Sequence, residues 1–87
     1  MRYELIIKPS AEKALDRLPR DVRQRLVNAL EALRDRPRPM GAIKLAGNEN
    51  TYRIRVGDYR IVYEIHDDVL VILVLRVAHR KDAYRGR

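Results

Sequence analysis

"NTYRIRVGDYRIVYEI", Asn50 to Ile65, holds two alternating runs that meet at Gly57-Asp58. Apolar and polar side chains change places at each step on both sides of that dipeptide, which is the period of a strand with one covered face. Glycine at the first position of a two-residue loop fits a type II′ hairpin turn, and such a turn fixes the register. Val56 then pairs with Tyr59, Arg55 with Arg60, Ile54 with Ile61 and Arg53 with Val62. Arg53, Arg55 and Arg60 fall on one side of the ribbon, and Tyr52, Ile54, Val56, Tyr59, Ile61 and Tyr63 on the other. A slip of one residue would turn Arg60 into the apolar face, so burial supports this pairing.

Working outward, Val69 to Ala78 reads as a third strand after a short turn near Asp67-Asp68, completing an antiparallel meander. It is apolar at both parities from Val69 to Leu75, which predicts cover on both faces and a central place in the sheet. Upstream, Arg36 to Asn50 is a connection rich in Pro, Gly and Asn, with a brief extended piece at Ala42 to Leu45. Before it, Val22, Leu26, Ala29, Leu30 and Leu33 line one face of a helix that starts near Arg20 or Asp21 and is stopped by Pro37 and Pro39. Ala11, Ala14, Leu15 and Leu18 mark a shorter helix, with Ser10 as N-cap and Pro19 as its limit. In "RYELIIK", Tyr3, Leu5 and Ile7 alternate with Arg2, Glu4 and Lys8, Ile6 being the exception, and Pro9 ends that strand. The order β-α-α-β-β-β predicts an α+β fold: a small antiparallel sheet with an N-terminal strand and an αα-hairpin packed on one face. There is no repeat or linker, and 87 residues suit one domain over positions 1–87.

Composition narrows the function. The aromatic residues are five tyrosines, so the core must rest on Leu, Ile and Val. Cysteine is absent and the two histidines lie thirteen positions apart, so neither a metal nor any other cofactor is expected. No N-terminal stretch has the make-up of a signal peptide, and the longest apolar run, Val69 to Leu75, is far short of the ~20 residues of a membrane helix. The expectation is a soluble cytoplasmic protein without membrane contact. Nineteen Lys and Arg against twelve Asp and Glu leave a formal charge of +7, which draws polyanions: nucleic acid first, an acidic protein second. Arg23, Arg25, Glu31 and Arg34 on the longer helix form either a solvated surface or a binding one.

Arg55 directly opposite Arg60 destabilises a sheet by some tenths of a kcal/mol. Either an acid such as Glu64 neutralises the group, or the three arginines form an anion site, most naturally for phosphate, whose oxygens guanidinium forks bind in pairs. "AHRKDAYR", Ala78 to Arg85, follows the third meander strand and can reach its neighbours' edge. It brings His79, Arg80, Lys81 and Tyr84, and His79 alone among them has an ordinary pKa, ~6.5, suited to general acid or base work. His66, beside an acidic turn, reads as structural.

Taken in order, "LP" at Leu18-Pro19, "KLAG" at Lys44 to Gly47, "YRIRVGDYRIVYEI" at Tyr52 to Ile65 and "HRKDAY" at His79 to Tyr84 resemble the RelE/ParE toxin superfamily, within it the RelE-type mRNA interferases. The resemblance spans nearly the whole chain. It implies a small sheet with two helices on one side, and a ribosome-dependent endoribonuclease that cuts mRNA in the A site without metal. The ribose 2′-hydroxyl attacks the adjacent phosphate, giving a 2′,3′-cyclic phosphate and a free 5′-hydroxyl. By position the resemblance makes Arg53, Arg55, Arg60, His79, Arg80 and Tyr84 the catalytic set, with Lys44, Lys81 and Arg85 as RNA contacts. Arg53 and Arg55 stand where that branch often has lysines, and arginine is a poor proton acceptor. The base then falls to His79 or Tyr84, or the rate comes from positioning and charge alone. Implied partners are a cognate antitoxin and the mRNA and ribosomal RNA of the A site. The alternatives are a ParE-type gyrase inhibitor without enzymatic activity, or an inactive antitoxin-binding regulator.

Overall fold

The chain runs through β1 (Glu4–Ile7), α1 (Pro9–Asp16), α2 (Arg20–Leu33), β2 (Ile43–Lys44), β3 (Thr51–Val56), β4 (Tyr59–His66) and β5 (Val71–His79) in the computed structural model, which describes residues 2–47 and 49–81. α1 begins earlier than Ser10 would cap it. Pro9 takes the first helical position, where its fixed φ suits the helix and its missing N–H is not needed. α2 starts at Arg20, directly after Pro19, and buries Leu26, Leu30 and Leu33.

The hairpin forms in the register that its turn dictates, with Val56 on Tyr59, Arg55 on Arg60, Ile54 on Ile61 and Arg53 on Val62. Gly57 sits at φ +60 and Asp58 stays out of the positive-φ region, as a type II′ turn requires. The sheet order is β1-β5-β4-β3-β2. β4 is therefore the central strand, and β5 lies inside the sheet between β4 and β1. β1 joins β5 in parallel, so the sheet is mixed, its other pairings being antiparallel. The two helices between β1 and the meander act as the crossover that parallel pairing needs.

Both helices cover one face. There Leu15, Leu26, Leu30 and Leu33 meet Ile54, Ile61, Tyr63, Ile65, Ile72, Val74 and Val77 in a single cluster. Side chains of Val71, Leu73 and Leu75 on β5 are only half-buried, because neither α1 nor α2 packs on that side. β5 changes phase along its length: Tyr63 pairs with Val74 while Val62 pairs with Arg76, leaving Leu75 as a bulge. The bulge lets Ile72, Val74 and then Val77 all face the core.

At the end of the sheet far from Gly57, the connection after α2 is clamped to the β4–β5 turn. Arg38 donates to Asp67 Oδ2 at 2.7 Å and to the Tyr52 hydroxyl at 3.1 Å, with its guanidinium over the Tyr52 ring. Tyr3 donates its hydroxyl proton to Asp67 Oδ1 at 2.6 Å, and Tyr63 donates to the Pro37 carbonyl at 2.7 Å. Burial pushes the Tyr63 phenol up to about 12. Leu70, in the same turn, stands at φ +56, a left-handed strain of about 1–2 kcal/mol. Among the described residues no helix is long and apolar enough to cross a membrane.

Candidate nucleic-acid interface

Away from the helices, strand pairing lays out two rows of side chains. Arg53, Val62 and Arg76 make one row across β3, β4 and β5, and Arg55, Arg60 and Ala78 make the next. Paired residues share a face, so Arg53, Arg55 and Arg60 stand together as the sequence pattern places them. Arg76, which that pattern did not single out, is the fourth arginine of the face. Among the described residues no ion pair engages Arg53, Arg55 or Arg76. Glu64, the acid on hand to neutralise the group, instead has its Oε1 at 2.8 Å from Nε2 of His66. Val62 and Ala78 floor a hollow of about 200 Å³ walled by Arg53, Arg60 and Arg76.

A second concavity shares its arginines with this face. β2 leaves β3 after two paired residues, Ile43 on Arg53 and Lys44 on Tyr52, and a groove of about 550 Å³ opens between α2 and β3. Its floor is apolar, with Ala29, Leu33, Ile54 and Val56, while Arg36, Arg53, Arg55 and Arg60 line its rim. Met40 stands fully exposed beside it. α2 also reaches the hairpin tip, where Arg25 Nη1 lies 3.2 Å from the point a Cβ on Gly57 would occupy. One helix arginine left open by the sequence is thus set at the end of the basic face.

His79 is not brought to that face. It pairs with Tyr59, whose ring it meets edge-on at 5.1 Å between centroids, and Tyr59 packs against the core on the helix side. The Leu75 bulge is the cause, because a one-residue phase shift sends Arg76 to the open face and His79 to the other. The backbone N–H of Lys81 donates to His79 Nδ1 at 3.2 Å, so that lone pair is occupied. Arg80 donates its backbone N–H to the Asp58 carbonyl at 2.8 Å, which ties the start of the tail to the hairpin loop. Lys44, opposite Tyr52, lies across the sheet from Arg53, and Lys81 is exposed. Tyr84 and Arg85 lie outside the described residues. Among the described residues no three His, Asp or Glu side chains gather as metal ligands would.

Residues 5–84 match the model of the family described as ParE toxin of type II toxin-antitoxin system, parDE. The chain belongs to this toxin family. Toxin RelG of Mycobacterium tuberculosis is 31% identical, over 98% of this chain and 99% of RelG. The RelE–RelB complex from Pyrococcus horikoshii superposes with a TM-score of 0.82 at 33% identity, covering 92% of this chain and 97% of that one. The toxin–antitoxin complex RelBE2 from M. tuberculosis gives 0.79 at 28% identity, over 92% and 100%. Its relatives within the family are RelE toxins, and they share the α+β fold described above. In this toxin, the part of the sheet that the helices leave open is the part that carries the arginines.

Proposed function

We propose that this toxin is a ribosome-dependent endoribonuclease that cuts mRNA in the A site by metal-independent transesterification. The 2′-oxygen forms a bond to the adjacent phosphorus, the bond to the 5′-oxygen breaks, and that oxygen leaves as a hydroxyl once it has taken a proton. The attacking hydroxyl's proton passes to solvent or to a tail residue. Arg53, Arg55 and Arg60 meet the negative charge that builds on the phosphorane, a task for preorganised cations rather than for a base. The observation that carries this reading is the paired Arg55 and Arg60 with Arg53 beside them, on a face where Glu64, the acid of β4, turns to His66 instead. His79 is a weaker candidate for the base than the sequence made it, since it faces the other side of the sheet. Arg80 and Lys81 follow the RNA away from the scissile bond. Lys44, opposite Tyr52, meets ribosomal RNA.

The partner that silences the toxin is an antitoxin, as in the RelE–RelB relatives. The α2–β3 groove suits an amphipathic segment whose apolar side fills the floor and whose acids reach the arginine rim. A gyrase-inhibiting role is the second reading, favoured by the description of the family model as a ParE toxin.

Mapping mRNA 5′ ends in a translating extract decides between them. The nuclease produces cuts inside ribosome-occupied codons, whereas a gyrase inhibitor leaves messages whole and blocks DNA supercoiling. Arg60→Ala, folded by circular dichroism, is expected to slow cleavage by ~100-fold or more, the scale of one lost oxyanion contact. His79→Gln should change the rate by far less than the ~100-fold of a removed general base. Full cleavage by Arg60→Ala would take the arginine face out of the mechanism.

A further inference from the structure

We propose that Arg76 binds a second backbone phosphate of the same RNA strand, next to the one held by Arg53, Arg55 and Arg60. This rests on the ribonuclease reading. Arg76 occupies the open face only because β5 bulges at Leu75, and bulges beside binding sites re-aim side chains in this way. It shares a row with Arg53 across the low Val62, so the two backbones are two strand spacings apart, about 10 Å. Their long side chains flank the hollow floored by Val62 and Ala78, and no acid among the described residues lines it. Arg76 is exposed and forms no ion pair among the described residues. A residue serving only the sheet could be neutral here. A cation at this point extends the anion site across β4 to β5, away from the groove, so that a single strand lying across the face would meet both ends of the row.

The test is binding of a fluorescein-labelled single-stranded oligoribonucleotide, 2′-O-methylated so that it binds without being cut, followed by anisotropy over a range of potassium chloride. Arg76→Ala should weaken binding about tenfold at low salt and lower the slope of log affinity against log salt by about 0.7, one phosphate contact on a single strand. Arg76→Lys, which keeps the charge, should retain most of the slope, and Lys13→Ala, an exposed cation on α1, should leave it unchanged. An unaltered slope in Arg76→Ala, or an equal fall in Lys13→Ala, overturns the second phosphate. If Arg60→Ala weakens binding and Arg76→Ala does not, or if the wild type binds no RNA, this inference alone fails; the ribonuclease reading fails only if the mapped mRNA 5′ ends show no cuts.

Discussion

Arg55 and Arg60 stand directly opposite on β3 and β4, where like charges work against the sheet that holds them. Glutamate at position 55 would turn that repulsion into a cross-strand attraction. Arg55→Glu is therefore expected to raise stability by about 0.5 kcal/mol, measured as a urea midpoint, while abolishing RNA cleavage. A variant that lost both stability and activity would mean that Arg55 holds the hairpin together. Much of this face could be read from the chain because its determinants are local. Gly57 sets the turn, the turn sets the register, and Arg60 cannot enter the core. Arg76 and His79 escaped that reading for a single reason. The residues around Leu75 are apolar at both parities, so nothing in "VILVLRVAH" marks where the phase of β5 changes.

At the level of elements, the Arg38–Asp67 clamp joins pieces that chain order keeps far apart: the connection after α2, the β4–β5 turn and, through Tyr3, the entry to β1. No periodicity announces such a bond, because it depends on which loops the packed sheet brings together. The parallel pairing of β1 with β5 was hidden for the same reason. The Arg38 guanidinium, and next to it the Tyr3 hydroxyl, hold the Asp67 carboxyl below its usual range. The unfolded chain thus takes up this proton more readily than the folded one as pH falls. The contribution of Asp67 is complete above about pH 4 and disappears as pH drops through the folded value. Urea midpoints of the wild type and Asp67→Asn should differ at neutral pH and converge as the pH falls through the lowered folded-state value of Asp67. A gap of constant size across that range would show that the carboxylate charge is not what secures the turn.

For the molecule as a whole, charge and size together decide how salt acts. Its longest extent is 33 Å, and the Debye length is about 30 Å at 0.01 M salt but about 8 Å at 0.15 M. In dilute buffer the seven uncompensated positive charges repel one another across the entire fold, whereas at physiological salt only near neighbours do. The ion pairs Arg2–Asp35, Arg34–Glu31 and Arg38–Asp67 respond in the opposite sense, but they are solvent-accessible, and such pairs contribute about 0–1 kcal/mol each. Repulsion should dominate, so the thermal midpoint is expected to rise between ~0.01 and ~0.15 M sodium chloride. RNA affinity should fall over the same interval, because salt competes with the arginines for phosphate. Stability and binding then move in opposite directions with one variable, as they do in the Arg55→Glu variant. A midpoint that fell with salt would mean that the ion pairs outweigh the basic face, and the cost of gathering those arginines would have to be sought elsewhere in the fold.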